Sequence, residues 1–412
     1  MSTVLTYAYK GRDAGGKLVK GKVEAPSESA VVSRLRTMGL TPVEINQSTA
    51  GTGLQMELSF GNLEKRVKTK DLAVMARQLA TMVASGLAIL KALSILAEQT
   101  ESKRLARTLA IVRTQVETGS SLSESLQKHP EVFPPLMVHL VRAGEVGGFL
   151  DQALESVAAT FEKDVKLTST IKSAMTYPVV VLAMALVAVV GMIVFIVPVF
   201  KNMFADLGGE LPIPTQILVT MSENAYWGVP VLIVVIVAFV VWWRKNKRTD
   251  AVRSRADALK LKLPVFGPLF QKVAIARVTR NLATMTKSGV PILQALAIVA
   301  DTSNNWVIEK ALHQVQDSVR NGRSIAAPLS EHDVFPAMVV QMIAVGEDSG
   351  SLEQMLTKIA DFYDDEVQTT TEALTSLIEP LMIAVIGVLI GGIIISLYLP
   401  MFSLYGQITE AG

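Results

Sequence analysis

Three stretches of this 412-residue chain hold no charged side chain at all: 178–200, 225–243 and 380–402. A helix of about 20 residues crosses the ~30 Å hydrocarbon layer of a bilayer, so each is long enough to span one. Buried helices of soluble cores are rarely uninterrupted over such lengths. Tyr226, Trp227, Trp242 and Trp243 bracket the second stretch as an interfacial aromatic belt does. Between the spans the apolar positions recur every three or four residues. Leu72, Met75, Leu79, Met82 and Val83 predict a helix that Gly86 stops, and residues 88–99 and 103–116 continue as helices. Pro134 and Pro336 each follow a Phe and open another helix. Ser121 to Glu124 reads as a capping box, and Ser324 to Ala327 lacks its glutamate, so that cap is not expected to be shared.

The N-terminal pattern is different. Residues 7–25 alternate and turn at 13–16, which predicts a β-hairpin. Ser27 caps a helix that Gly39 ends, Thr41 to Ile45 form a short strand, and the polar run 46–62 reads as a flexible linker.

The chain also repeats itself. Residues 77–86 (RQLATMVASG) and 280–289 (RNLATMTKSG) agree at seven of ten positions, headed by Arg77 and Arg280. With a single residue lost, the alignment carries Phe133-Pro134 onto Phe335-Pro336. It carries Gly144-Glu145-Val-Gly-Gly148 onto Gly346-Glu347-Asp-Ser-Gly350, and Pro178, Pro198 and Phe200 onto Pro380, Pro400 and Phe402. One register held over more than a hundred residues marks a tandem duplication. Each copy is a helical module followed by a span, and the unmatched second span returns the chain so that the copies are parallel. Inverted repeats, a common transporter design, do not fit.

Charge gives direction. Arg244, Lys245, Lys247, Arg248, Arg253, Arg255, Lys260 and Lys262 follow the second span, whereas the loop before it offers only Lys201. The positive-inside rule places the N-terminus and residues 244–379 in the cytoplasm, and 201–224 and the tail outside. The basic run also suits anionic lipid. The start of the chain lacks the apolar core of a signal peptide, which agrees with a cytoplasmic N-terminus. The expected architecture is a mainly α, polytopic membrane protein. A small α+β domain (1–46) and a linker (47–68) lead into module 1 (69–177) and its span (178–200). An external loop (201–224), the second span (225–243) and a basic juxtamembrane segment (244–270) follow. Module 2 (271–379), the third span (380–402) and a short tail (403–412) complete the chain, with about six helices per module.

Composition narrows the chemistry. Hydrophobic residues make up 50% and charged residues 18%, an apolar excess that the spans absorb, and a net charge of +2 gives no reason to expect nucleic acid. With no cysteine, thiolate catalysis and cysteine-held metals are excluded. Residues 11–18 are one residue short of a P-loop and read as a hairpin turn. Ser169 and Lys172 match S-x-x-K without its companion motifs, and His129, His139, His313 and His332 lack a metal-ligand spacing. No ionisable group lies within a span, which argues against an ion-coupled transporter, the alternative class. No catalytic residue, metal or cofactor is assigned.

Two features remain open. In the Gly-Glu-x-x-Gly turns the glycines permit positive φ and the glutamate caps the next helix, or else Glu145 and Glu347 touch a partner or a hard cation. The acidic set Asp361, Asp364, Asp365, Glu366, Glu372 and Glu379 before the third span is either a solvated face or a docking face. Its counterpart (Glu162, Lys163, Asp164, Lys166, Lys172) is mixed.

Together the two modules, three spans, R-x-L-A-T-M…S-G, F-P and G-E-x-x-G-x-L motifs resemble the inner-membrane platform proteins of type IV pilus and type II secretion systems. Residues 9–27 and Leu35…Pro42 resemble that family's leading domain. The chain departs from internal symmetry at Glu379, opposite Tyr177. The resemblance implies a non-enzymatic scaffold of the bacterial inner membrane. It would associate with itself and with other inner-membrane components, receive a cytoplasmic hexameric ATPase, and act on pilin or pseudopilin subunits. The turns at Gly144, Glu145, Gly148, Gly346, Glu347 and Gly350, with Arg77 and Arg280, are the candidate partner contacts. Arg244, Lys245, Lys247 and Arg248 are the candidate lipid contacts.

Overall fold

The computed structural model describes residues 5–12, 18–25, 28–39, 41–48, 66–206, 211–247 and 249–410. The expected turn at 13–16, the Ser27 cap, Arg248 and most of the expected linker lie outside them. The chain divides into two compact units, Met1–Glu64 and Lys65–Gly412.

In the first unit β1 (Leu5–Arg12), β2 (Leu18–Ala25) and β3 (Thr41–Ser48) form an antiparallel sheet in the order β2-β1-β3. Tyr7 stands opposite both Val23 and Gln47, and the β1–β3 register shifts at Lys10/Gly11. Helix α1 (Glu28–Thr37) supplies Val31 and Leu35, which are fully buried with Tyr7 and Ala25. Strand β3 reaches Ser48, so the first residues assigned to the linker belong to the sheet.

The second unit opens with module 1. Its helices are α2 (Thr69–Ala84), α3 (Ile89–Gln99), α4 (Lys103–Glu117), α5 (Leu122–Gln127) and α6 (Pro135–Gly147). Helix α7 (Leu150–Gly191) then leaves the module without a break. Leu72, Met75, Ala76, Leu79 and Ala80 of α2 are buried, the stripe that three- and four-residue spacing places on one face. Pro134 stands at the N-cap of α6 and Pro135 begins the helix, one place later than expected. A π-turn (Met192–Ile196) and α8 (Val197–Asp206) finish the first span, and α9 (Ile213–Asn246) is the second. Helix α10 (Asp250–Lys262) follows. Module 2 repeats the pattern as α11 (Gly267–Lys287), α12 (Ile292–Thr302), α13 (Trp306–Arg320), α14 (Ala326–Leu329) and α15 (Ala337–Asp348). Helix α16 (Leu352–Glu410) is the counterpart of α7 and its span in one piece.

Three helical stretches are long and apolar enough to cross a membrane, within Leu150–Phe204, Trp227–Asn246 and Leu352–Phe402. Two segments beside them are mostly helical. Most of the 201–224 loop is helical, because α8 runs to Asp206 and α9 begins at Ile213. The 403–412 tail is helical as far as Glu410.

The matched prolines of spans one and three are accommodated differently. A proline inside a helix frees the carbonyl four residues earlier, and a bilayer has no water to satisfy it. In the first span a widened turn precedes Pro198, with Val197 N–H donating to the Met192 carbonyl. In the third span the carbonyl freed by Pro400 is that of Ser396, and the buried Thr215 hydroxyl of α9 donates to it. That bond sits beside an apolar cluster of Val197, Val219, Ile393 and Leu397, which draws all three spans together.

Thr215→Val should therefore weaken the membrane bundle by about 1 kcal/mol. Adding Pro400→Ala should return part of the loss, because it restores the N–H that reaches Ser396. A double-mutant cycle on unfolding of the full chain in bicelles checks both, and additive effects would refute the pairing.

Candidate functional site

Each candidate turn is largely helix. Gly144 and Glu145 belong to the last turn of α6, Gly346 and Glu347 to that of α15. Only Gly148 (φ +76°) and Gly350 (φ +66°) adopt the left-handed conformation that lets the chain reverse into the long helix. Gly144 and Gly346 have a different reason to lack a side chain. A Cβ on Gly144 would lie 2.5 Å from Ala153 Cβ, and one on Gly346 3.0 Å from Leu352 Cα. The long helices start almost in contact with the backbone of the helices before them.

Glu145 and Glu347 point inward. Glu145 accepts from the N–H groups of Leu122 (2.5 Å) and Ser123 (3.0 Å), at the start of α5. Glu347 accepts from Ile325 (2.6 Å) and Ala326 (2.9 Å), at the start of α14. Ser121 and Ser324 take the next N–H, from Glu124 (3.1 Å) and Ala327 (3.2 Å). The hydroxyl half of the cap is thus present in both copies, contrary to the sequence expectation, and the carboxylate comes from the helix after the capped one. A glutamate meeting three orphaned donors with a serine stabilises the short helix through charge-assisted bonds.

Arg77 and Arg280 likewise hold the modules together. Arg77 of α2 pairs with Glu162 (2.7 Å, through two nitrogens) and Glu155 (2.5 Å) of α7. The hydrogen bonds that Arg77 donates to Glu162 and then to Glu155 raise the guanidinium pKa further, and Arg77 in turn lowers that of Glu162. Arg280, only 11% exposed, reaches Asp364 (2.5 Å) and the Ala360 carbonyl (3.3 Å) of α16. Glu162 and Asp364 occupy matched positions, so one clamp occurs twice.

The acidic approach to the third span is partly consumed inside the protein. Lys163 of α7 reaches Asp361 (3.3 Å) and Asp364 (3.7 Å), Arg277 of α11 reaches Asp164 (2.6 Å), and Lys272 reaches Glu366 (2.7 Å). Thr160 and Thr284 meet at 3.2 Å, and Leu167, Leu269, Val367 and Leu374 close the seam toward the membrane. A cleft of about 860 Å³ remains between the modules, with Arg66, Arg104, Arg277 and Arg280 facing Glu131, Asp164 and Asp301. His139 beside the seam has its pKa lowered by burial and then by Arg142.

The basic segment after α9 divides in two. Arg244, Lys245 and Lys247 are exposed. Helix α10 instead folds onto module 2: Arg253 pairs with Glu309 (2.5 Å), which raises the arginine pKa. The buried Asp257 accepts from Trp306 N–H (3.0 Å) at the start of α13 and from Lys260 (2.7 Å). Ser169 and Lys172 lie exposed on α7. Asp301, Glu309 and His313 bring ligand atoms within 4.8 Å, but Glu309 is bound by Arg253 and Asp301 by His313. The inter-module ion pairs and Asp257 were not foreseen. The acids matched at 162 and 364, opposite matched arginines, were the one available signal.

Comparison with known proteins matches this chain to the family described as type II secretion system (T2SS), protein F, at residues 75–198 and again at 278–400. That family's N-terminal domain matches residues 1–46. Among similar proteins, the type IV pilus assembly protein PilC of Myxococcus xanthus is 43% identical, covering 98% of this chain and 95% of its own length. PilC of Thermus thermophilus is 42% identical over 98% and 99%. The type II secretion system protein F of Vibrio cholerae is 32% identical over 97% and 98%.

Replacing Arg280 by Ala should destabilise the chain by about 2–3 kcal/mol, and Arg77→Ala by about 1 kcal/mol, since the Arg77 clamp is more open to water. Denaturant unfolding in micelles checks the order. Because Glu162 titrates below its usual value of 4.5, its contribution is present above that pH and is lost as pH falls through the lowered value. Arg77→Gln should therefore flatten the acid limb of the stability profile.

Glu145→Ala should cost module 1 about 2 kcal/mol by leaving two helix N–H groups without their acceptor. Urea titration followed by far-UV circular dichroism would show it, since module 1 holds no tryptophan, and an unchanged midpoint would mean that the glutamate is not a cap.

Proposed function

This chain belongs to the type II secretion system protein F family, a family of platform proteins, and from that premise we propose that it couples a cytoplasmic hexameric ATPase to pilin or pseudopilin subunits in the inner membrane. The observation that carries this reading is the continuity of each module with a membrane helix. Helix α7 has 42 residues and α16 has 59, and both begin at a Gly-closed turn and run into a span. A displacement applied to the turn end of either module is carried along one rigid element instead of being absorbed in a loop. The modules are braced together by the ion pairs of the seam, so they would move as one body.

In this reading the ATPase meets the membrane-distal tips at 146–149 and 348–351, where Val146 is 86% exposed. Glu145 and Glu347 support those tips from beneath. Arg244, Lys245 and Lys247 rest on anionic headgroups, which favours the orientation with both modules, the N-terminus and residues 244–379 in the cytoplasm and the C-terminus outside. The chain acts as a scaffold and not as an enzyme, and it associates with itself and with other inner-membrane components of the machine. The greater identity to the two pilus-assembly relatives than to the secretion relative favours a pilus system.

Deleting the gene should abolish surface pili, with the intact chain restoring them, and the ATPase of the same machine should co-purify with the full chain in nanodiscs. Val146→Glu should reduce that retention several-fold without altering thermal unfolding. Pili that persist in the deletion strain, together with no ATPase retention, would sink the platform reading.

A further inference from the structure

Two related modules can meet through the same face on each or through two different faces, and the consequences differ. Here the faces differ. Module 1 contributes Thr160, Lys163, Asp164 and Leu167 of α7, with His139 of α6 reaching Gln294 of α12 at 3.4 Å. Module 2 contributes α11, the start of α12, and Asp361 and Asp364 of α16. Carried back through the repeat, those two aspartates correspond to Ala159 and Glu162. At 100° per residue these lie on the other flank of α7, roughly 130° from the flank that α7 uses. The contact is head-to-tail, so each module keeps one unused face.

The unused faces are open and carry apolar side chains. On module 1 the counterparts of Arg277, Thr284 and Ser288 are Val74, Thr81 and Ser85. All three are exposed, whereas Ser288 is buried. On module 2 the counterpart of Thr160, which is 6% exposed, is Phe362, which is 43% exposed, and Val345 of α15 is 56% exposed. We propose that a second copy of this chain docks here, setting the α15/α16 flank of its module 2 on the α2/α3 flank of module 1 and repeating between chains the contact made within each chain.

The membrane permits this. Lys163 pairs with Asp361, Leu167 packs with Val367, and Val197 packs with Ile393 and Leu397, so α7 and α16 run in the same direction. The operation that relates the modules therefore preserves the membrane direction, and repeating it keeps every chain in one bilayer. The chain-to-chain contact does not inherit the ion pairs. Asp365 replaces Lys163 and faces Ala159 and Glu162, and Val74 replaces Arg277 opposite Glu366. The result is a contact of Phe362 on Thr81 and Val74 with Asp365 and Glu162 like-charged across it, weaker than the internal one and suited to assembly that can be reversed. This inference gives the self-association proposed above a surface, and its test is separate from pilus assembly and ATPase retention.

The chain contains no cysteine, so single introduced thiols report single contacts. Full-length Thr81→Cys and Phe362→Cys chains, tagged differently and co-expressed in membranes, should form a mixed disulfide dimer on mild oxidation, and neither alone should exceed background. Thr160→Cys with Thr284→Cys in one chain closes the internal counterpart and calibrates the reaction. Absence of the mixed dimer while the internal pair closes overturns the proposal. So does dimerisation of Thr81→Cys alone at equal yield, which would mean a two-fold contact. Adding Val74→Arg to the Thr81→Cys chain should raise the mixed dimer roughly twofold by offering Glu366 of the second copy an exposed partner, and a decrease also overturns it.

Discussion

Helices α7 and α16 must each do two things along one length: core their own bundle and pack against one another. An α-helix has three usable sides at most, and here all are assigned. On α7 one side carries Leu154, Val157, Ala158 and Phe161 into module 1, one flank carries Thr160, Lys163, Asp164 and Leu167 to module 2, and the remaining flank holds Glu155 and Glu162. The third side explains the arginine clamps. Carboxylates on an exposed flank are tied back to α2 by Arg77, and those of α16 to α11 by Arg280. A half-exposed clamp contributes little and the nearly buried one more, so the two copies share a device but not its strength.

The same division accounts for the unequal charge of the two approaches to the membrane. An acidic approach beside a mixed one looks in one dimension like two modules with different partners. In three dimensions the lysine of the mixed helix meets the aspartates of the acidic one, and Arg277 meets Asp164. Much of the asymmetry is complementarity between neighbours within one chain.

Inside the membrane the governing constraint is that every carbonyl needs a donor. Pro198 and Pro400 are matched, yet one is accommodated by a widened turn and the other by a hydroxyl from α9. The second solution needs the unrepeated span to be present, so α9 contributes to the bundle as well as returning the chain. The duplication is therefore faithful in sequence and unequal in packing.

Periodicity, long apolar runs and a repeated register determined the helices, the spans and the two modules, because each is a local property of the chain. Phe133-Pro134, Gly148 and their counterparts announced helix boundaries correctly to within a residue or two, since φ preferences and missing donors act on the nearest neighbours. Other features depended on residues far away in the chain. Nothing beside Glu145 shows that it caps α5 and not the helix that follows, nothing beside Asp257 shows that it caps α13, and the retained cap at Ser324 was hidden by the loss of its local glutamate. Which flank of α7 meets which flank of α16 was equally invisible. A charged or polar side chain reaches several ångströms in any direction, and only the packing of the helices decides which donor or counter-charge stands at its end.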